Sequence, residues 1–346
     1  MKLFHLRHVD WIDSQLIYHA QPRVNVEGIN ILAPSSPYVC IGYHQNLEQE
    51  VDLDYCKKNE IPVFRREVGG GAVYLDGNQI FYQLVLHKDH PLASGDKTDF
   101  YQRMLQPVAD TYQELGIPAK YRPVNDVVTI EGRKIAGTGA AEIEDYIILV
   151  GNLIADFDYR TMTRVLRVPD EKYRDKVFKS MTENLTTIKR EIGHIPTWDE
   201  MATPLIRHFE QVLGKLEPSE LPQKVYEQME ILKLEFESSE WLFMKRKARD
   251  ERKIKIATDV NIVQNVHKAP GGLLKAVFEL KEDNISNLSL SGDFFCYPRK
   301  AIGDLESTLD GADLSEIGDL IDNFYKKTEI EIPGVTPADW VKVLNG

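Results

Sequence analysis

Residues 65–76 read RREVGGGAVYLD, two arginines that lead into three glycines and then an alternating apolar run. Each glycine costs roughly 1 kcal/mol relative to alanine, because the unfolded chain has more conformational freedom to lose at glycine. A chain keeps three in a row where its backbone must approach another group closely or adopt a positive φ. The adjacent arginines suggest that the group is anionic, since guanidinium and backbone N–H groups both bind carboxylates and phosphates. Taken alone, the stretch could also be a glycine-rich hairpin without a binding role.

A second motif lies at residues 125–140, which read NDVVTIEGRKIAGTGA. The apolar residues 127–130 predict a short strand, residues 131–132 a tight turn and residues 133–135 a return strand. Lys134 therefore lies between a turn and a run of small residues that again permits close approach. A lone lysine on a strand is usually a solvated surface residue, so the surrounding motif is what makes this one a candidate.

Asn125 and Asp126 open the second motif with two oxygen-bearing side chains. Hard oxygen ligands suit Mg²⁺ when the ion is shared with substrate phosphates. The arginines, the glycine segment, this pair and Lys134 together predict a site for a carboxylate and a nucleotide.

The two motifs, in this order, closely resemble those of lipoate–protein ligases in the biotin/lipoate ligase superfamily, over roughly residues 40–155. The resemblance implies an α+β fold, with a biotin/lipoate-ligase-like catalytic domain of mixed sheets and flanking helices. It also implies a reaction in which ATP and lipoate form lipoyl-adenylate and pyrophosphate. The lipoyl group then passes to a lysine amine of an acceptor protein, and Mg²⁺ accompanies ATP.

The resemblance assigns roles to individual residues. Lys134 matches the family's essential lysine, which contacts the acyl carbonyl and the α-phosphate, where a fixed cation opposes developing negative charge. Asn125 and Asp126 match the pair near the phosphates and magnesium, with Asp126 as the candidate metal ligand. The positions that match lipoate- and adenylate-binding residues are Arg66, Gly69, Gly70, Gly71, Ala72, Asn78, Gly137 and Thr138.

Four positions depart from the family pattern. Val68 stands where serine or threonine is usual, Leu75 where a histidine is frequent, and Gly139 where alanine is usual. Val150 precedes Gly151 where the family commonly has a His-Gly pair. These changes mostly replace polar groups by apolar surface, and they predict a pocket reshaped for an unusual acceptor.

A chain of 346 residues exceeds one typical domain. We expect a catalytic domain over residues 1–250 and a small α+β accessory domain over residues 251–346. The second part is similar to the accessory domain of two-domain lipoate ligases, which implies a contribution to the adenylation step.

Charge and composition exclude several classes of protein. A net charge of −12 argues against a nucleic-acid-binding protein. The sequence has no membrane-length apolar run and no signal-peptide pattern, and its three cysteines have irregular spacing. These features predict a cytoplasmic protein that does not bind membranes. Because lipoyl acceptors of the family are generally acidic, a basic docking face is expected, with the candidates Lys120, Arg122, Arg133, Arg160, Arg164 and Arg167.

Periodicity predicts the main elements. Residues 100–115 are expected to form a helix with Asp99 as N-cap, and residues 205–213 a helix that ends at Gly214. Residues 80–86 and 146–150 read as buried strands, and residues 216–222 as a linker before a helix at 225–234. In the last part we expect strands at 253–266, 273–280 and 285–290, a turn at 267–272 that contains His267, and one closing helix at 314–324.

Three alternative functions remain open from the sequence. An octanoyl- or lipoyl-transferase shares the catalytic fold but carries the acyl group on a cysteine thiolate, and residues 57–295 contain no cysteine. A biotin ligase also adenylates a carboxylate, and a pseudo-ligase would bind lipoate or adenylate without turnover. The acceptor is equally open: a lipoyl domain, the glycine-cleavage H protein or a related lipoate-binding protein. Lipoate and octanoate differ by a few methylene-sized contacts, which provide weak discrimination.

Overall fold

The computed structural model describes residues 1–168, 170–245 and 261–346. The chain folds into two compact units. The first contains Met1–Cys40, Val51–Phe64 and Val73–Ser238, and the second contains Ile41–Glu50, Arg65–Ala72 and Ser239–Gly346. The predicted boundary between residues 250 and 251 lies outside the described residues, so the predicted division into domains stays a prediction.

The described residues form helices and strands in mixed order. The strands are β1 (Lys2–Val9), β2 (Gly28–Pro34), β3 (Tyr38–Ile41), β4 (Val63–Arg65), β5 (Val73–Leu75), β6 (Gln79–His87), β7 (Ala119–Arg122), β8 (Asp126–Thr129), β9 (Lys134–Ala136), β10 (Thr138–Ile143), β11 (Tyr146–Ile154), β12 (Glu217–Pro218), β13 (Asn261–Ala269), β14 (Gly272–Lys281) and β15 (Asn284–Gly292). The α-helices are α1 (Asp13–Arg23), α2 (Leu47–Glu50), α3 (Leu53–Lys58), α4 (Lys97–Glu114), α5 (Tyr159–Val165), α6 (Arg174–Asn184), α7 (Ile188–Ile192), α8 (Trp198–Leu213), α9 (Gln223–Phe236), α10 (Ser239–Leu242), α11 (Ala301–Leu309), α12 (Ile317–Lys327) and α13 (Pro337–Asn345). Pro91–Ala93 and Glu171–Tyr173 form short 3₁₀ turns.

A six-stranded mixed sheet organises the first unit, in the order β10-β11-β6-β2-β1-β12. β1 pairs in parallel with β2 and β12, and the other neighbours are antiparallel. β2 is buried throughout and β6 at all but its last residue, as expected for strands covered on both faces. The predicted strands at 80–86 and 146–150 are confirmed as β6 and β11, and β11 continues to Ile154.

The helices of the first unit follow the predicted apolar periodicity, with corrections at their ends. The prediction of Asp99 as N-cap was wrong, because α4 begins earlier and the Asp96 side chain accepts a hydrogen bond from the Asp99 N–H. α8 ends at Gly214 as predicted. The predicted linker at 216–222 contains β12, which pairs with β1 and so adds a strand to the sheet. The predicted helix at 225–234 is confirmed as α9.

The second motif forms a small antiparallel sheet, β7-β8-β9. Val128 pairs with Lys134 and Val127 with Ala136, and Gly132 adopts a φ of 83° in the turn between them. A positive φ explains the glycine at that turn. The predicted strand, turn and return strand are therefore confirmed. β3, β4 and β5 form another three-stranded sheet, in the order β4-β3-β5.

In the second unit, the antiparallel sheet β13-β14-β15 and the helices α11, α12 and α13 pack around a shared apolar core that includes Leu274, Phe278 and Trp340. The single predicted closing helix was therefore an undercount. His267 was predicted in a turn but lies in β13, where its Nε2 is 2.9 Å from Asp339 Oδ1. The part of the predicted strand at 253–260 lies outside the described residues. None of the described helices has the length and apolarity needed to cross a membrane.

Candidate active site

Lys134 forms an ion pair with the first residue of the neighbouring strand. Its Nζ lies 2.7 Å from Asp126 Oδ1, and Arg122 Nη2 lies 2.8 Å from Asp126 Oδ2. Burial alone would raise the pKa of the Asp126 carboxyl, but the Lys134 ammonium and the Arg122 guanidinium outweigh it and hold that pKa below its usual value. The carboxylate therefore stays ionised at neutral pH and holds two cations side by side.

A cavity of about 570 Å³ opens beside this ion-pair cluster. Arg122, Gly132 and Lys134 line one part of it, and residues of α6 and its neighbouring turns line the rest. The two sides are joined by backbone pairing, because the Thr186 N–H donates to the Lys134 carbonyl at 2.8 Å. The side chain of Lys134 is about one-third exposed (36%), so a ligand in the cavity can reach its ammonium group.

Asn125 and Thr138 hold each other across the motif. Asn125 Nδ2 donates to the Thr138 carbonyl at 2.7 Å, and the Thr138 hydroxyl donates to the Asn125 carbonyl. In this arrangement the Asn125 amide group and the Thr138 hydroxyl brace the chain on either side of the β8–β9 hairpin. Their contact positions the hairpin that carries Lys134.

A chain of buried hydrogen bonds holds Gly137 in place. Two residues in this chain, Asn152 and Gln79, were not predicted from the sequence. The Gly137 N–H donates to Asn152 Oδ1 at 2.8 Å, and Asn152 Nδ2 donates to Gln79 Oε1 at 2.7 Å. Both side chains are buried. The signal that could have found them is a polar residue at the edge of, or inside, an otherwise apolar strand, because such a residue needs a buried hydrogen-bond partner.

Asn78 lies at the turn before β6. Its backbone N–H donates to Asp76 Oδ1 at 2.9 Å, and its carbonyl accepts from the N–H groups of Ala155 and Asp156. Burial raises the pKa of the Asp76 carboxyl, and the hydrogen bonds that Asn78 donates to this carboxyl partly offset the increase. Asn78 therefore joins the turn to the end of β11.

The acidic residue predicted to bind magnesium is already paired with cations. Both oxygens of Asp126 accept from a lysine or an arginine, so a metal bound there would have to displace one of them. Among the described residues, no group of three or more histidine, cysteine, aspartate or glutamate side chains could hold a metal ion. As arranged, Asn125 and Asp126 do not fit a metal site, and the magnesium role stays a prediction.

The glycine segment belongs to the second unit, together with Arg66 and Ala72. Arg66 is buried, and its Nη2 donates to the carbonyls of Gly69 at 2.7 Å and Gly71 at 2.9 Å. Gly70 has a φ of 89°, which a residue with a side chain rarely adopts. Both reasons for a glycine run, close approach and positive φ, are present here.

The close approach is to protein backbone. A Cβ placed on Gly69 would lie 2.4 Å from the Phe294 carbonyl oxygen, and the Gly70 N–H donates to the same carbonyl at 3.1 Å. Arg65 is fully buried and donates to the carbonyls of Gly42, Tyr43, Gln45 and Leu242. The arginines that suggested an anion thus support the folding of this segment in the described structure.

The positions that depart from the family pattern are mainly packing positions. Val68 and Leu75 are buried, and Val150 is half-buried. The neighbouring Gly151 has a steric reason, because a Cβ there would lie 2.2 Å from the Tyr82 hydroxyl oxygen. Apolar side chains at these positions add to the core of their own unit.

The structure therefore divides the predicted site residues between the two units. The first unit contains Asn78, Asn125, Asp126, Lys134, Gly137 and Thr138. The second contains Arg66, Gly69, Gly70, Gly71 and Ala72. Within the first unit, Asp126 and Lys134 are in direct contact, as are Asn125 and Thr138.

The sequence matches the family model of the lipoyl protein ligase A/B catalytic domain over residues 14–210. It is similar to lipoate-protein ligase A subunit 1 of Thermoplasma acidophilum, with 34% identity over 184 residues that cover 51% of this chain and 68% of that protein. Lipoate-protein ligase LplJ of Bacillus subtilis is 26% identical over 264 residues, which cover 75% of this chain and 74% of LplJ. Octanoyltransferase LipM of Geobacillus kaustophilus is 25% identical over 232 residues, which cover 60% of this chain and 83% of LipM.

Solved structures give a consistent comparison. The bipartite lipoate protein ligase of Thermoplasma acidophilum, studied with its E2 lipoyl domain, has a TM-score of 0.63 and 30% identity, over 70% of this chain and 95% of that chain. Lipoate-protein ligase A bound with ATP has a TM-score of 0.59 and 25% identity, over 70% of this chain and 98% of that chain. LipL1 of P. falciparum in complex with lipoate has a TM-score of 0.67 and 16% identity over 95% of each chain, which shows the fold alone. The predicted fold class is confirmed.

Proposed function

Because the chain belongs to the lipoyl protein ligase A/B catalytic domain family, we propose that it is an ATP-dependent lipoate–protein ligase. Its relatives include lipoate-protein ligases and octanoyltransferases, so an enzyme of the lipoate ligase and octanoyltransferase family is the coarser conclusion. In the proposed reaction, the lipoate carboxylate attacks the α-phosphorus of ATP and the bond to pyrophosphate breaks. The acceptor lysine amine then attacks the carbonyl of lipoyl-adenylate, and AMP leaves as the amide forms and the amine loses a proton.

The observation that carries this proposal is the Lys134–Asp126–Arg122 cluster beside the cavity. Both steps of the reaction build negative charge on carboxyl and phosphoryl oxygens. A cation already fixed in place stabilises that charge without reorganisation during the reaction. Asp126 orients Lys134 through the 2.7 Å contact, and Lys134 is the group that we propose to touch the reacting oxygens.

The remaining predicted residues have supporting roles in the proposal. Asn125, Gly137 and Thr138 brace the hairpin, and Asn78 connects its turn to β11. We propose that Arg66 and residues 69–72 bind the lipoyl chain and the adenylate, as the resemblance implies. A Mg²⁺ ion that arrives with ATP would neutralise phosphate charge, and no step of the proposal requires Asp126 to bind it.

The cysteines favour the ligase over a cysteine-dependent transferase. Cys40, Cys56 and Cys296 are all buried, and none of them forms a disulfide. Burial raises the pKa of the Cys56 thiol to about 11, so the nucleophilic thiolate is scarce at neutral pH. A cysteine that carries an acyl group would need an environment that lowers the pKa of its thiol. The LipM relatives nevertheless make octanoyl transfer the second candidate, and a pseudo-ligase that binds lipoate without turnover the third.

We propose a lipoyl acceptor protein as the partner, with an E2 lipoyl domain as the first choice because the archaeal ligase of similar structure was studied with one. The glycine-cleavage H protein and related lipoate-binding proteins are further candidates. We also propose residues 1–250 as the catalytic part, residues 251–346 as the accessory part and the cytoplasm as the compartment, which cysteines without disulfides fit.

The purified protein should be incubated with Mg-ATP, lipoate and a panel of apo acceptor domains, and the intact mass of each acceptor followed. We expect a lipoyl mass gain that requires ATP. Modification only from an acylated donor protein, without ATP, would assign the chain to the transferases. If neither modification nor lipoate-dependent ATP–pyrophosphate exchange occurs, the pseudo-ligase is the function that remains and the proposal is refuted.

A further inference from the structure

One short part of the first unit carries a local excess of positive charge. The chain has a net charge of −12, yet residues 160–179 contain seven lysines and arginines against three acidic residues. This part includes the turn at Glu171–Tyr173 and most of α6. A local reversal of sign is the pattern expected where a protein meets an oppositely charged partner.

The basic stretch lies at the rim of the Lys134 cavity. Tyr173 and Lys176 line the cavity together with Lys134. The neighbouring Lys172 and Lys179 turn to solvent, with side chains 67% and 76% exposed. Lys176 and Lys179 are three residues apart on α6 and so share a helix face. α6 and the turn before it therefore line the cavity and present cations outside it.

An exposed aromatic ring lies among these cations. Tyr173 is 41% exposed, and the ammonium groups of Lys172 and Lys176 lie 5.2 and 5.4 Å from its ring centroid. Exposed tyrosines flanked by charge are typical anchors of protein interfaces, because they bury a large area at little cost in conformational entropy.

The exposed lysines are only weakly paired within the chain. Lys172 Nζ lies 3.2 Å from Asp170 Oδ2, and Lys179 Nζ lies 3.9 Å from Glu183 Oε1. Solvent-exposed pairs of this kind contribute little to stability, about 0–1 kcal/mol. Carboxylates of a partner can therefore replace these contacts at little cost.

We infer that the basic rim, defined as Lys172, Tyr173, Lys176 and Lys179, is the docking surface for the acceptor, an acidic protein domain that presents the lysine to be modified. The inference rests on the proposed function. The acceptor amine must reach a carbonyl held at Lys134, so the acceptor surface around its lysine must lie against the rim of that cavity. A basic rim selects an acidic surface there and steers its approach.

The test separates docking from adenylation. The double variant Lys172→Glu/Lys179→Glu reverses two charges that do not line the cavity, and Lys215→Glu/Lys224→Glu is a matched control with two exposed lysines of the first unit. ATP–pyrophosphate exchange with lipoate measures adenylation without an acceptor. Transfer is measured from supplied lipoyl-adenylate to an apo E2 lipoyl domain, at several salt concentrations.

We expect the rim variant to keep wild-type exchange and to lose about tenfold in kcat/KM for transfer, with a weaker salt dependence than wild type. The control variant should resemble wild type in both assays. Neutralising acidic residues next to the acceptor lysine should reproduce the loss with the wild-type enzyme. Unchanged transfer in the rim variant, an equal loss in the control, or a parallel loss of exchange would each overturn the docking surface. Absence of exchange and transfer in the wild type would refute the proposed function instead.

Discussion

Replacing Lys134 by alanine should remove catalysis while leaving the fold in place. The ammonium group is the cation proposed to face developing negative charge, and removing one such group typically costs about 2.7–4 kcal/mol of transition-state stabilisation, or 10²–10³ in kcat. Its contribution to stability is much smaller. The side chain is 36% exposed, and Asp126 keeps the Arg122 guanidinium at 2.8 Å after the change. We therefore expect a loss of about 1 kcal/mol or less in the free energy of unfolding.

The assay is lipoate-dependent ATP–pyrophosphate exchange, measured together with the melting temperature of the same preparation. A matched control is Lys120→Ala, because Lys120 is an exposed lysine on β7 of the same three-stranded sheet. The control should retain exchange, and both variants should melt within a few degrees of wild type.

A third variant, Lys134→Arg, keeps the charge but changes its geometry. Because guanidinium and ammonium groups differ in shape and in the directions of their donors, we expect partial activity at most. Wild-type exchange in Lys134→Ala would refute the catalytic role of this residue. A large drop in melting temperature would show that Lys134 is structural, and the activity loss would then not be assigned to catalysis.

Three further predictions address the rest of the molecule. Changing all three cysteines to alanine should leave ATP-dependent lipoylation intact. A thiol-alkylating reagent at pH 8 should not inhibit the wild type, because all three thiols are buried and burial raises the pKa of Cys56 to about 11. Loss of transfer in the triple variant alone would instead indicate a cysteine carrier. Gly69→Ala should lower the free energy of unfolding by about 1–3 kcal/mol through the 2.4 Å clash of its Cβ, whereas Gly71→Ala, whose Cβ would lie 3.6 Å from its nearest neighbour, should unfold at the wild-type urea concentration. Although burial raises it, hydrogen bonds from Thr336 hold the pKa of Asp339 well below its usual 3.8, so the stability that this carboxylate contributes is present near neutral pH and is lost as the pH falls through the lowered value. The difference in urea midpoint between wild type and Asp339→Asn should therefore shrink as the pH falls from about 5 toward 2, and a constant difference would contradict the assignment.

The sequence was most informative where contacts are local. Asp126 and Lys134 lie on adjacent strands of one hairpin, so the strand, turn and return strand read from residues 127–135 already bring them near each other. The apolar periodicity of α4 and α8 predicted those helices for the same reason, since burial of one face repeats along the helix. Helix ends were less predictable, because Asp96 and Asp99 are both plausible caps and only the backbone geometry selects Asp96.

The partners of buried polar groups were not readable in this way. Asn152 and Gln79 are 73 positions apart and meet because β11 and β6 are neighbours in the sheet. No local pattern states which strands pair. Likewise, the magnesium role predicted for Asp126 did not anticipate that both of its oxygens would accept from cations.

By itself, the sequence determined the chemistry that the molecule offers: a lysine and a carboxylate on one hairpin, a glycine run that needs an unusual backbone, and no cysteine between residues 57 and 295. The tertiary structure alone decided where these elements act. It placed α6 against the Lys134 strand through the Thr186 N–H and grouped residues 41–50 and 65–72 with residues 239–346. The physical reason is the separation in sequence of the residues that make contact. Hairpins and helices form from contacts between near neighbours, whereas the grouping of distant segments depends on many weak packing contacts that only the complete fold assembles.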